Sequence, residues 1–336
     1  MITGRFAPSP TGRMHLGNVF SALLSWLSAH KQGGQWLLRI EDIDPQRSRQ
    51  EYADCVMQDL EWLGLTWDGE VVYQSQRTEI YAAYLEKLRE QGVLYECHRT
   101  RADILATQAP HESDGRVVVH RSPTLALSGK SPTTALSGKS PTPALPEGRE
   151  NDTNTSVANP LPLGRAGVGL PGALRVEVPH RVVTVHDGHY GDVTVDLYDQ
   201  VGDFIVRRKD GAYAYQLAVV VDDALMGVTE VVRGRDLLLS SPQQAFTAEL
   251  LGLSVPQYVH FPLLTNEAGQ RLSKRDKSMD MGELRQRHTP QEIIGMLGYI
   301  AGILPHPTPA TAEELLPLFD WDKVPREDVR INRLTN

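Results

Sequence analysis

The spacing of apolar residues changes twice within residues 1–40. Ile2–Ala7 is a short extended run, broken by Pro8-Ser9-Pro10-Thr11-Gly12. After Asn18 and up to His30, the stretch VFSALLSWLSAH sets Val19, Leu23, Leu24 and Leu27 on one helical face, and Gly33-Gly34 stops it. Trp36-Leu37-Leu38-Arg39-Ile40 then reads as a buried strand. Strand, helix, strand in this order begins an open, largely parallel sheet. Further helices are expected at 47–63 and 77–91, with Gly92 as the stop of the second.

Downstream the pattern dissolves and returns. Three nine-residue units, TLALSGKSP (124–132), TTALSGKSP (133–141) and TPALPEGRE (142–150), are rich in Ser, Pro, Gly and Thr. Units this short cannot bury a core, so 122–172 is expected to be a disordered insertion in a loop. Their GKS triplets are not phosphate loops: Thr124 and Thr133 stand where the upstream glycine belongs, and no strand precedes either. Order resumes at Ala173 with the alternating runs ALRVEV, RVVTVHD and DVTVDL. Strands are also expected at 203–208 and 214–221, a helix at 240–251 and an extended run at 259–264. A polar, basic loop, NEAGQRLSKRDKS, follows, and the tail from Met281 is helical with interrupting prolines.

Composition narrows the class. The 336 residues allow two or three domains, and 40% hydrophobic with 23% charged residues is a globular composition. Lys plus Arg is 34 against 42 for Asp plus Glu, a net charge of −8. Nucleic acid would therefore have to be held by a local basic patch rather than by the overall field. Two cysteines, Cys55 and Cys97, exclude a disulfide framework and a four-cysteine zinc site. No apolar run reaches the roughly 18 residues of a membrane span, and MITGRFAPSPTGR has no apolar signal core. The expectation is a reduced, cytoplasmic, soluble protein without membrane contact.

Two segments carry candidate chemistry. In Ala7–Asn18 a strand ends in a turn, and a helix begins at His15-Leu16-Gly17-Asn18. The N–H groups of a helix N-terminus suit phosphate. His15 would donate to an α-phosphate, Gly17 would let a base or ribose approach the backbone, and Asn18 would cap the helix. In Arg271–Ser278, Lys274 sits in a glycine-preceded loop where a cation would neutralise a pyrophosphate leaving group.

Together, in this order, the two segments resemble the paired signatures of class I aminoacyl-tRNA synthetases. RFAPSPTGRMHLGN, LLRIEDIDPQRS, YAYQLAVVVDDALMGVTEVVRGRDLLLSS and RLSKRD narrow the resemblance to the glutamyl-tRNA synthetase family. It covers most of 1–300 apart from the insertion. It implies an α/β fold: a Rossmann-like parallel-sheet catalytic domain, an inserted α+β subdomain and a short helical C-terminal tail. The expected division is 1–95 and 191–265 for the two catalytic halves, 96–190 for the inserted subdomain, and 266–336 for the signature lysine loop and a stem-contact region.

The resemblance also implies site residues. Arg5 and Arg233, at strand ends, would belong to the L-glutamate pocket, lined by Arg5-Phe6-Ala7-Pro8-Ser9; Glu41 would hold the ammonium and Tyr215 would donate its hydroxyl. His15, Gly17, Asn18 and Lys274 would hold ATP, with His15 and Lys274 acting on the reacting phosphates and Mg2+ accompanying the nucleotide. Asp44 is expected to cap a helix before Pro45; Asp222 and Asp223 stay unassigned. The family's zinc knuckle is degraded. Cys97 remains, Arg99 stands at the second cysteine position and no cysteine follows, so no Zn2+ is expected unless His98, His111 and His120 substitute. Arg207, Arg208, Lys209, Arg271, Lys274, Arg275, Lys277, Arg285 and Arg287 form the candidate tRNA-facing patch.

Little chain follows Lys274, which implies a shortened branch of the family. That branch activates L-glutamate with ATP and transfers it to the queuosine base of tRNA(Asp); a monomer is expected. Two other readings stand beside it: a truncated glutamyl-tRNA synthetase charging the 3′ end of tRNA(Glu), and a non-catalytic nucleotide- or tRNA-binding paralogue.

Overall fold

A computed structural model describes residues 1–99, 172–266, 269, 270, 272 and 279–331. The first βαβ unit forms where the pattern places it. Strand β1 (Thr3–Phe6) leads through the Pro8–Met14 turn into helix α1 (Leu16–Lys31), and strand β2 (Gln35–Ile40) returns parallel to β1, Thr3 opposite Gln35. Helix α1 buries Leu16, Val19, Phe20, Leu23, Leu24 and Leu27, so its apolar side is wider than one stripe and lies wholly inside the core. Helix α2 (Gln50–Trp62) and the short parallel strand β3 (Val72–Tyr73) complete this half.

Helix α2 starts three residues later than expected. The amides of Arg47 and Ser48 bond Asp44 O in a turn, and Arg49 N reaches Pro10 O at 3.0 Å, which holds Arg49 extended. Asp44 therefore caps no helix; its Oδ1 takes Gln46 N and its Oδ2 takes Arg208 Nη1 at 2.8 Å.

Helix α3 (Thr78–Glu90) is followed by β4 (Leu94–Cys97), which pairs antiparallel with β5 (Ala173–Val176). The repeat units and the expected disordered insertion lie outside the described residues. Strands β6 (Val182–Asp187) and β7 (Gly191–Asp196) form a hairpin, and β8 (Phe204–Arg207) pairs with β5. Hydrogen bonding interleaves the two sides of residue 190: β8 belongs with β4 and β5, whereas β6 joins the parallel sheet.

Helix α4 (Tyr215–Leu225) corrects the expected strand at 214–221. An apolar run of this length is ambiguous between a buried strand and a helix buried on every side. Here Leu217 to Asp223 are all buried, and helical rotation sends Asp222 and Asp223 to different partners. Strand β9 (Glu230–Gly234), helix α5 (Ser240–Leu251) and strand β10 (Gln257–Phe261) build the second half, with β9 and β10 parallel and β10 beside β6. The extended run expected at 259–264 is split: β10 ends at Phe261, and β11 (Leu264–Thr265) pairs with β12 (Val329–Arg330). Thr229 N bonds Thr3 O at 2.9 Å, so β1 and β9 abut and the two parallel halves meet side by side.

The tail forms helices α6 (Met281–Arg287), α7 (Pro290–Ile300) and α8 (Ala312–Leu315). One core joins α1, β1, β2, β10 and α7; a second joins α3, β5, β8 and α4. Among the described residues no helix is long and apolar enough to cross a membrane.

Candidate functional site

The carboxyl ends of β1, β2 and β9 open into one cavity of about 490 Å³. In open α/β sheets this edge is where strand-end side chains converge on a ligand. Arg5, Phe6, Ala7, Pro8, Ser9, His15, Gly17, Asn18, Glu41, Tyr215 and Arg233 all line it. Of the expected site residues only Lys274 is missing from this set, and it lies outside the described residues. Its neighbour Leu272 is described: it is buried, its amide bonds Leu264 O at 3.1 Å, and it forms part of the cavity wall.

At the α1 end, His15 rather than Asn18 is the N-cap. His15 Nδ1 accepts from Gly17 N at 3.1 Å, while Asn18 Oδ1 accepts from His15 N at 3.0 Å. A histidine cap falls outside the usual Ser, Thr, Asp and Asn set, so the sequence points instead to Asn18, one turn too late. Because Nδ1 accepts, a neutral His15 ring carries its proton on Nε2. A Cβ at Gly17 would sit 3.0 Å from Nδ1 and Cε1 of His15. The glycine thus makes room for the capping imidazole. An isolated bridge joins His15 to Asp280, and Met281 N bonds Met14 O at 2.9 Å. The segment after the lysine loop is thereby stitched to the first signature turn.

At the opposite end the polar side chains form a buried ion network. Arg39, which is fully buried, donates to Asp223 Oδ1 at 2.6 Å and to Glu41 Oε1 at 3.2 Å; Arg5 Nε reaches the same Asp223 oxygen at 3.3 Å. No described residue bonds Nη1 or Nη2 of Arg5, so that face of its guanidinium is available to the cavity it lines. Burial pushes the Glu41 carboxyl up from the ordinary carboxylate range, against the pull of Arg39 and Arg5. A cationic ligand group beside Glu41 would relieve that. Burial pushes Asp223 up as well, but the Arg39 and Arg5 charges outweigh it and hold its carboxyl below the usual value. Asp222, on the other side of α4, takes Gln74 at 2.8 Å, Arg77 at 2.7 Å and Tyr81 at 2.7 Å. Both aspartates left unassigned by sequence thus anchor α4. Arg39 was legible only as a member of an apolar strand.

Arg233 is caged. Its Nη1 donates to Gln244 at 2.8 Å and to Tyr215 Oη at 3.5 Å, its Nη2 to Ser241 at 2.8 Å and to Leu237 O at 3.3 Å. Its guanidinium carbon stands 5.1 Å from the centre of the Tyr258 ring. Burial pushes the Tyr215 hydroxyl above its ordinary pKa, so it stays protonated.

No group of three or more His, Cys, Asp or Glu side chains is arranged for a metal among the described residues. Cys97 is buried at the end of β4, while His111 and His120 lie outside the described residues. Of the candidate basic patch, Arg271, Lys274, Arg275 and Lys277 lie outside the described residues, and most of the others bond to groups of the protein. Lys209 bonds His98 O at 2.6 Å, Arg208 pairs with Asp44, Arg287 with Glu283 at 3.3 Å, and Arg285 with Asp59 at 2.8 Å.

The chain as a whole is similar to known proteins. The family model for the catalytic domain of class I tRNA synthetases (E and Q) matches residues 1–127 and 165–306. A glutamyl-Q tRNA(Asp) synthetase of Symbiobacterium thermophilum is 40% identical over 98% of this chain and 96% of its own length. That of Chromobacterium violaceum is 41% identical over 95% of this chain and 91% of its own. Among solved structures, a glutamate tRNA ligase from Elizabethkingia meningosepticum, determined with its amino acid, superposes with a TM-score of 0.74 at 24% identity. That match covers 98% of this chain and 67% of that one.

Proposed function

The chain belongs to the class I tRNA synthetase (E and Q) family of aminoacyl-tRNA synthetase-like ligases, and from that premise we propose that it activates L-glutamate with ATP and transfers it to the queuosine base of tRNA(Asp). The observation that carries the reading is one cleft in which two arginines and the Glu41 carboxylate face a helix N-terminus. An acidic amino acid needs cations for its side-chain carboxylate and an anion for its ammonium. Arg5 and Arg233 take the former role, Glu41 the latter, and Tyr215 adds a hydroxyl donor. The backbone of Phe6 to Ser9 forms the wall between the two subsites.

The α-carboxylate of glutamate attacks the α-phosphorus of ATP in line, and pyrophosphate leaves. No covalent enzyme intermediate forms, so the protein's work is positioning and charge stabilisation. The His15 ring and the positive end of helix α1 hold the phosphates beside Gly17 and Asn18, and Lys274 meets the charge of the leaving group. Mg2+ would accompany the nucleotide and would neutralise phosphate charge there. A hydroxyl of queuosine then attacks the mixed anhydride and AMP departs. The choice of tRNA(Asp) is supported by relatives of that name matched over nearly their whole length.

The first test is ATP–pyrophosphate exchange driven by glutamate without tRNA; exchange is expected, and its absence at ample enzyme would leave a binding paralogue. The second is transfer of labelled glutamate to tRNA(Asp) with and without queuosine. Label confined to the queuosine-bearing tRNA is expected, and label on the 3′ end of tRNA(Glu) would replace this reading with ordinary charging.

A further inference from the structure

Behind Arg233 stands a buried pair that lines no wall of the cleft. His260 lies on β10 and Asp187 at the end of β6; both are almost completely buried. Arg233 Nε donates to His260 Nε2 at 3.0 Å, and His260 Nδ1 lies 2.6 Å from Asp187 Oδ2. Arginine Nε can only donate, so His260 Nε2 must accept. The ring is then neutral, its proton on Nδ1 and donated to Asp187. The other oxygen of Asp187 accepts the amides of His189 at 3.0 Å and Tyr190 at 2.8 Å, which fixes the carboxylate in the turn after β6.

We propose that Asp187 and His260 are positioning residues for glutamate recognition: Asp187 selects the His260 tautomer that offers Nε2 as an acceptor, and that acceptor sets the guanidinium plane of Arg233. The inference rests on the reading of Arg233 as part of the glutamate pocket. Three strands share the work, Arg233 on β9, His260 on β10 and Asp187 on β6, which are neighbours in one sheet. The plane of a guanidinium decides which of its N–H groups can turn to a carboxylate; on Arg233 those are the ones held by the longest bonds, to Leu237 O at 3.3 Å and Tyr215 Oη at 3.5 Å. The bonds of Arg233 to Gln244 and Ser241 on α5, with the longer ones to Tyr215 and Leu237 O, hold its far end. Nε, the atom that fixes the plane's root, has His260 as its acceptor.

Protonation of His260 abolishes the arrangement, because Nε2–H would then face another donor. The groups around the ring are Asp187 from β6, Arg233 from β9, Asp236 just beyond β9, Tyr258 on β10 itself, and His189, whose Nδ1 lies 2.9 Å from His260 O. Burial holds the His260 ring below the ordinary histidine value of 6.5, against the pull of Asp187 and Asp236 and with the help of Arg233. Arg233 therefore keeps its acceptor at neutral pH and loses it as the solution is acidified through that lowered value.

The experiment is ATP–pyrophosphate exchange with four chains: wild type, Asp187→Asn, His260→Gln and Arg233→Ala. Asp187→Asn retains an oxygen for the two turn amides and presents an NH2 to the ring, which forces the opposite tautomer. The glutamate KM is expected to rise about tenfold to a hundredfold while the ATP KM moves less than about twofold. His260→Gln keeps an acceptor for Arg233 but cannot titrate, so its glutamate KM stays within about threefold of wild type at neutral pH and does not rise on acidification. In the wild type it does rise. Thermal unfolding of each chain separates lost positioning from lost fold. If Arg233→Ala leaves the glutamate KM unchanged, the pocket reading falls and takes this inference with it. If Arg233→Ala raises it but Asp187→Asn does not, or His260→Gln keeps the wild-type acid response, the positioning role alone is overturned.

Discussion

At the scale of single residues, Arg5 and Arg233 divide one task by different means. Arg233 has hydrogen bonds on all three guanidinium nitrogens before any ligand arrives, whereas Arg5 uses Nε alone, on Asp223. A caged arginine fixes geometry; one with its outer nitrogens towards the cavity supplies new bonds. Arg5→Gln is therefore expected to raise the glutamate KM in the exchange assay about thirtyfold or more, the loss of a charge-assisted pair, with the ATP KM little changed. Stability should fall less than this implies, because Asp223 keeps its 2.6 Å bond to Arg39. Equal changes in both KM values would show that Arg5 serves the cleft generally. The identities of these arginines were readable from strand ends and family likeness. The difference between them was not, since it depends on Gln244, Ser241 and His260 arriving from later elements.

At the scale of elements, sequence period failed where burial was complete. Helix α1 was legible because its apolar spacing, its glycine stop and the breaker cluster before it all agreed. Helix α4 was not, since Val219, Val220 and Val221 are β-branched and buried together, and the alternation that would mark a half-exposed strand cannot be told from the continuous run of an enclosed helix. The adjacent Asp222-Asp223 does not decide it, since neighbouring side chains diverge on a strand as well as on a helix. Successive side chains on a helix point about 100° apart, enough to send one to Arg39 and the other to α3 and the turn before it. Tyr81 is the α3 member of that second set, fully buried, its hydroxyl 2.7 Å from Asp222. Burial and the neighbouring carboxylate push the phenol above its ordinary pKa, so it remains the donor at neutral pH. Tyr81→Phe is expected to lower stability by about 1–2 kcal/mol in urea unfolding, Gln74 and Arg77 still satisfying the carboxylate. A neutral result would mean that α3 and α4 are held together by their apolar contacts alone.

At the scale of the molecule, the tail completes the cleft rather than trailing from it. Strand β12 pairs with β11, and Asp328 beside it receives Arg235 Nε at 2.6 Å and Nη2 at 2.7 Å, with Leu263 N at 2.8 Å on the same carboxylate. Leu263 lines the cavity, and Arg235 directly follows the lining residues Arg233 and Gly234, so one aspartate ties two loops of the cleft to the end of the chain. Tyr190 adds a second tie through Arg326 O at 2.6 Å, and Lys31 a third through Pro317 O at 2.8 Å. Asp328→Ala is expected to cost about 1–2 kcal/mol; the pair is partly open to solvent, which weakens its charge component, but the Leu263 amide also loses its acceptor. The sign of its pH dependence is fixed. The hydrogen bond from Arg235 holds the Asp328 carboxyl below the ordinary 3.8, burial opposing it, so the stabilisation is full above that value in the unfolded chain and is lost as pH falls through the lower folded one. Wild type and Asp328→Ala should therefore differ in thermal midpoint by a few degrees at neutral pH and converge in strong acid. Parallel midpoint curves down to pH 2 would show that the bidentate pair adds nothing and that β11–β12 pairing holds the tail by itself.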